Sequence, residues 1–332
     1  MKIARRWMIT AGLLCSTASV ALAQPVVLGG NPPGSLWYAQ SQAIAATVNK
    51  HSKLRIDVLP QGGSSFFPMF QSREVDMGIA NPIEALFASR AVWPFEGANG
   101  GKGYAMTTIM LGSPIRVSMI TTPDSGIKTL ADLRGKRVVV NYGAFSGATL
   151  TARSALANAG LTPDDVVPVN VTSYPEGVRA IMEGRADAAV ASLGSGILQE
   201  LEVAKGAVML AADPSPEAMA RTQKVGPAFI AFEEKAPSVG VKPGMVTLSY
   251  STTVVARPDL SGDVVKAFIG TLWDHHKELP TITKTLTTWT PDRFASTAAV
   301  LPYHPAAIEF YKAKGVWTPA MDARQAELSA KR

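Results

Sequence analysis

Three features of the chain predict an α/β protein of two similar lobes. Short β-branched runs alternate with segments of helical period, the order that builds mostly parallel sheets. Two distant segments, "SREVDMGIAN" (72–81) and "EGRADAAVAS" (183–192), repeat one pattern. Each has a basic residue, an Asp, a run of small and β-branched residues, and a closing polar residue. Asp76 thereby matches Asp187, and Asn81 matches Ser192. Finally, Gly- and Ser-bearing turns stand between strands and helices, where the carboxyl ends of strands in open α/β sheets form crevices.

The elements follow in order. "VVLGG" reads as a strand, and a helix is expected from about Ser35 to Asn49. "LRIDVLP" is a strand, followed by a helix from about Ser64, the strand "VDMGIAN" and the helix "PIEALFASR". "FEGANGGKGY" is a surface loop. "YAMTTIML" and "IRVSMITT" read as two strands, "TLADLRG" as a short helix, and "KRVVVNY" as a strand. "GATLTARSALANAG" is a helix closed by Gly160. Hinges are expected near "TPDSG" (122–126) and "PGMVTLS" (243–249), with "YSTTVVARP" returning the chain to the first lobe. The first lobe is therefore 24–122 plus 247–332, and the second is 123–246.

The start, "MKIARRWMITAGLLCSTASVALAQ", has basic residues, a short apolar core and Ala21-Leu22-Ala23. This is the pattern of a secretory signal peptide over residues 1–23; the apolar core is short for a membrane span. Cleavage removes Cys15, the only cysteine, so neither disulfide nor thiol chemistry is expected. It also removes Lys2, Arg5 and Arg6 from a formal charge of +6. With no long Lys/Arg run, nucleic acid is not an expected partner. The expected product is an exported, periplasmic monomer.

Chemistry-bearing motifs are few. The loop Gly143–Thr149 lacks the Gly-Lys-Ser/Thr of a P-loop, and Phe145 replaces the second glycine of a dinucleotide fingerprint. It contains no nucleophile elbow. A helix N-terminus with Ser146, Gly147 and Thr149 remains, suited to an anion, although Ser146 could equally be a plain N-cap. The four histidines, His51, His275, His276 and His304, show no metal-ligand spacing. His275 and His276 are adjacent on a helix and point to different faces. No metal, cofactor or catalytic residue is expected, and the protein reads as a non-enzyme.

Binding residues are sought at the strand ends and turns. Ser35 caps the first helix after Pro32-Pro33-Gly34, and Trp37 and Tyr38 stand in its first turn, able to wall a pocket. Ser64 repeats the device after Gly62-Gly63; Phe66, Phe67 and Met69 behind it are expected in the core. Asn81 and Ser192 end one strand in each lobe. Tyr142 opens the Ser146–Thr149 loop, and Arg116 is the cation best placed for a carboxylate, with an ordinary ion pair as its alternative.

With these segments in view, the chain resembles the TAXI group of solute-binding proteins, which serve tripartite ATP-independent periplasmic (TRAP) transporters. The resemblance rests on "LGGNPPGSLWYAQSQAIA", "DSGIKTLADLRGKRVVV", "GAFSGATLTARSALANAGL", "EGRADAAVA" and "LPYHPAAIEFYKAKGVW". It implies a type II periplasmic binding fold: two Rossmann-like lobes, a ligand cleft and a two-strand hinge. It further implies capture of a small organic anion (a dicarboxylate, an oxoacid or a glutamate-like amino acid) and delivery to a TRAP membrane permease. The same fold could instead serve a sensor kinase, an ABC importer of the sulfonate or nitrate type, or a periplasmic enzyme.

Overall fold

The computed structural model describes residues 25–61 and 63–330, the side chain of Ser64 excepted. The signal peptide expected over 1–23 lies outside the described residues, and so does the part Ser64 would play through its hydroxyl. Among the described residues, no helix is long and apolar enough to cross a membrane.

Among the described residues, ten strands carry the fold: β1 (Val26–Gly30), β2 (Ile56–Pro60), β3 (Met77–Ala80), β4 (Thr107–Thr121), β5 (Arg137–Asn141), β6 (Val167–Asn170), β7 (Ala189–Ser192), β8 (Val208–Met209), β9 (Ile230–Glu233) and β10 (Val246–Ala256). The main sheet runs β2-β1-β3-β10-β4-β7, with β8 on β4 and β9 on β10. β1 pairs in parallel with β2 and β3, whereas β10 is antiparallel to β3 and β4. A parallel pair, β5-β6, extends the far end, where the Val139 N–H reaches the Ala188 carbonyl at 3.0 Å. Two long strands, β4 and β10, thus connect a first half built on β1–β3 to a second built on β5–β7.

Among the described residues, twelve α-helices cover these sheets: α1 (Leu36–His51), α2 (Met69–Ser72), α3 (Pro82–Ser89), α4 (Ser146–Asn158), α5 (Tyr174–Met182), α6 (Gly196–Lys205), α7 (Pro216–Val225), α8 (Gly262–His275), α9 (Leu279–Ile282), α10 (Pro291–Phe294), α11 (Pro305–Ala313) and α12 (Pro319–Ala330). Caps explain several starts. Ser35 accepts the Tyr38 N–H at 3.1 Å, Asn81 the Ile83 N–H at 2.9 Å, and Ser173 the Glu176 N–H at 3.3 Å. Each satisfies one of the orphan donors of a first turn.

The two repeated aspartates do one job twice. Asp76 accepts the Val27 N–H at 2.9 Å and Arg257 at 3.0 Å. Asp187 accepts the Arg137 N–H at 2.8 Å and its guanidinium at 2.6 Å. Each carboxylate therefore holds the start of a neighbouring parallel strand, β1 in one half and β5 in the other.

Two elements differ from expectation. The strands expected on either side of Gly112-Ser113-Pro114 are one continuous β4; irregular register opposite Ser251 and Thr253 of β10 accommodates the proline. The helix expected from Ser64 is a 3₁₀ turn, Gly63–Phe66, then the short α2, because Pro68 interrupts it. Phe66 and Phe67 behind that turn are fully buried. The Phe66 ring lies on Gly29 and Gly78, where an added Cβ would stand 2.7 Å and 2.3 Å from it. Only glycine leaves room for that ring, so the aromatics fill the core and not the cleft.

Candidate functional site

A cavity of about 60 Å³ lies where the two halves of the sheet meet. It has room for about four to six waters. Asn31, Ser35 and Trp37 line it from the β1–α1 connection, Asn81 and Glu84 from the start of α3, and Phe145 and Gly147 from the start of α4. Tyr174, Ser192 and Tyr250 close it. All these segments sit at strand carboxyl ends or on β10, as the topology requires of an α/β crevice.

The α4 N-terminus meets an anion that belongs to the chain itself. The Glu84 carboxylate, buried at 2 % exposure, accepts the Gly147 N–H at 3.1 Å and the Ser146 hydroxyl proton. Residue 145, at the Ncap position, is Phe and offers no side-chain acceptor. Glu84 therefore caps α4 from another helix, with the positive end of the macrodipole against its charge. Gly147 makes the approach possible: a Cβ there would lie 3.1 Å from Glu84 Oε2 and 3.4 Å from Asn81 Nδ2.

Beside Glu84, the Asn81 amide nitrogen is buried without a well-formed hydrogen bond, while its Oδ1 serves the α3 cap. Trp37, Phe145, Tyr174 and Tyr250 form largely buried aromatic walls. The Tyr174 hydroxyl accepts the Ser192 N–H at 2.7 Å and meets Ser195 Oγ at 3.1 Å. Burial raises the pKa of Tyr250 strongly, and the Glu84 charge adds to it. Both phenols are therefore neutral hydrogen-bonding groups. Among the described residues, the lining contains one acidic side chain and no Lys or Arg.

Of the residues expected from sequence, Ser35, Trp37, Asn81, Gly147 and Ser192 line this cavity. The others do different work. Tyr38, half-buried, follows Trp37 on α1 but is outside the lining. The Tyr142 hydroxyl is buried and accepts the Val190 N–H at 2.6 Å. Thr149 Oγ1 accepts the Tyr142 N–H at 3.1 Å, which makes it a brace for the loop. Ser146 spends its hydroxyl proton on Glu84. Arg116 lies outside the lining and makes the ion pair expected as its alternative: it binds Glu234 at 2.9 Å, a carboxylate at 1 % exposure that also accepts the Thr247 hydroxyl at 2.8 Å. Glu84 itself went unread in the sequence. It follows Asn81-Pro82 as an ordinary first-turn acid, and only the fold brings it to α4.

The sheet topology and the crevice are those of a type II periplasmic binding fold. The chain matches the NMT1-like family over residues 28–315 and belongs to that family. Its fold is similar to that of PhnD1 from Prochlorococcus marinus in complex with methylphosphonate, at 11% identity and a TM-score of 0.53, covering 88% of this chain and 98% of that one. It is also similar to a binding protein component of an ABC phosphonate transporter from Pseudomonas aeruginosa, at 12% identity and TM-score 0.53, covering 93% and 98%. The periplasmic aliphatic sulphonate binding protein SsuA from Escherichia coli aligns at 16% identity and TM-score 0.49, covering 90% and 82%. These findings correct the TAXI resemblance and, with it, the TRAP permease as partner: the family match is to NMT1-like proteins.

Proposed function

We propose that this chain is a periplasmic solute-binding protein, without catalytic activity, that serves an ABC importer. The ABC partner is inferred from the printed role of the Pseudomonas aeruginosa neighbour together with the NMT1-like family match. The proposed lobes are 24–122 plus 247–332 and 123–246, with β4 and β10 as the connecting strands. They move as bodies about those strands and close on the solute.

The observation that carries the ligand class is the buried Glu84 carboxylate at the α4 N-terminus. An organic anion, the solute expected from sequence, or a phosphonate such as the one bound by PhnD1, would compete with this charge for the same N–H groups. No Lys or Arg in the lining offsets it. The site instead offers an anionic acceptor, Glu84, beside a donor, Asn81 Nδ2, between aromatic walls. That set suits a small nitrogenous solute, such as a protonated amine or an amide-like group carrying both a donor and an acceptor. Burial of the carboxylate strengthens the pairing, because charges interact more strongly out of water.

A thermal-shift screen of amines, amides and N-heterocycles against carboxylates, phosphonates and sulfonates tests the reading, since a solute that binds only the native state raises the midpoint. Small-angle scattering with the best solute should show a smaller radius than without it. A screen in which only oxyanions raise the midpoint would overturn the nitrogenous assignment. No radius change at saturation would overturn the closing clamp.

A further inference from the structure

The fold joins two histidines that sequence spacing keeps far apart. His51 is the last residue of α1 and His275 the last of α8, and their rings stack at 3.7 Å between centroids with 8° between planes. Glu278, in the next 3₁₀ turn, places Oε1 2.9 Å from His51 Nε2 and 3.6 Å from His275 Nδ1. We propose that His51, His275 and Glu278 form a surface site for a divalent late first-row metal ion such as Zn²⁺.

Four observations carry this. The donor set, two imidazoles and a carboxylate, is one that Zn²⁺ takes, with remaining positions open to water. A tetrahedral ion about 2.0–2.2 Å from each ligand keeps ligand atoms about 3.4 Å apart; the two N···O separations, 2.9 and 3.6 Å, straddle that value. His51 Nε2 and His275 Nδ1 face the same carboxylate oxygen, Glu278 Oε1, so the three ligand atoms gather around one point from two helices and a turn. Both histidines end helices, where the negative ends of the two macrodipoles favour a cation.

Lys50 binds Glu278 Oε2 at 2.8 Å and leaves Oε1 facing the rings. Its charge opposes the ion, which makes the site weaker than an all-histidine one. Because the rings are nearly parallel, one must turn about χ2 to point at a shared ion, and that torsion is broad in His. The side chains are 20%, 36% and 38% exposed, so an ion can reach them without unfolding.

The test is calorimetry and thermal shift with Zn²⁺ on the full, untagged chain. One ion per chain should bind and raise the midpoint, and a chelator should reverse both effects. His51→Gln and His275→Gln should each weaken binding at least tenfold. His276→Gln should leave it unchanged, because the His276 Nδ1 is engaged with the Trp273 carbonyl at 2.9 Å. Circular dichroism confirms that each variant folds, and X-ray absorption on the loaded protein should show imidazole ligation. No binding at millimolar Zn²⁺ would overturn the proposal and leave an ion-pair cluster. Binding unaffected by both histidine variants would overturn it equally.

Discussion

The Glu84 carboxylate takes the Gly147 N–H at 3.1 Å, so one residue of α3 fills the position where the α4 N-terminus could have held a ligand's anion. Replacing Glu84 with Gln keeps the size and an acceptor oxygen but removes the charge. A hydrogen bond to a charged group is typically worth about 1.5–3 kcal/mol. Glu84→Gln should therefore weaken a protonated nitrogenous solute by about tenfold or more. It should also relieve the repulsion of oxyanions. Calorimetry with one amine and one phosphonate checks both directions. Equal affinity of both proteins for the amine would reduce Glu84 to a helix cap.

Ser146 and Thr149 lie in one loop but should separate by phenotype. Thr149 Oγ1 holds the buried Tyr142 N–H, and an orphaned buried donor costs about 1–3 kcal/mol. Thr149→Ala should lower unfolding free energy by that amount and leave solute affinity unchanged. Ser146→Ala removes a proton donor from Glu84, so it should change affinity more than it changes stability. Urea unfolding paired with calorimetry resolves the two. A matched loss of affinity in Thr149→Ala would place its hydroxyl against the solute.

Arg116 should behave as a structural partner. Its removal leaves Glu234, at 1 % exposure, with the Thr247 hydroxyl but without its cation. Breaking a buried pair costs about 3–5 kcal/mol; Arg116 is 39% exposed, so water offsets part of this and about 2 kcal/mol is expected. Arg116→Ala should lower the urea midpoint with no change in the solute dissociation constant. A changed dissociation constant at unchanged stability would return Arg116 to the site.

What was legible in the sequence was what depends on neighbours along the chain. The alternation of elements, the caps Ser35 and Asn81, and the Gly160 stop are local devices. The Asp76–Asp187 echo was legible too, because both copies solve the same local problem of holding a strand start. The misread parts depend on distant partners. For Arg116 an ion pair was one of two readings, but its partner Glu234 lies far along the chain and could not be named; at the α4 N-terminus the alternatives were a ligand anion or a cap by Ser146, and the Glu84 cap from α3 was neither. His51 and His275 showed no metal spacing because the pairing of α1 with α8, and not spacing, brings them together. The two strands read on either side of Gly112–Pro114 are one, because β10 supplies an irregular partner that lets the strand continue.

His304 gives a pH-dependent prediction with a definite sign. It caps α11: its Nδ1 accepts the Ala306 N–H at 3.2 Å, and its Nε2 faces the Leu260 carbonyl at 3.1 Å. With Nε2 donating, this arrangement needs the neutral ring. Burial holds the pKa below the ordinary 6.5, and the Leu260 and Pro258 carbonyls pull it only partly back. The unfolded chain therefore binds the proton more readily than the folded one. The stability that His304 contributes is complete above the unfolded value near 6.5 and is lost as pH falls toward the folded value. His304→Asn keeps a capping acceptor without a titrating group. The wild-type advantage in unfolding free energy should narrow between about pH 7.5 and about pH 5, as measured by urea unfolding at each. Carboxylates that titrate over the same range contribute equally to both proteins and cancel in the difference. Parallel stability profiles for the two proteins would mean that the folded chain binds the His304 proton as readily as the unfolded one, so that the fold does not hold the ring neutral.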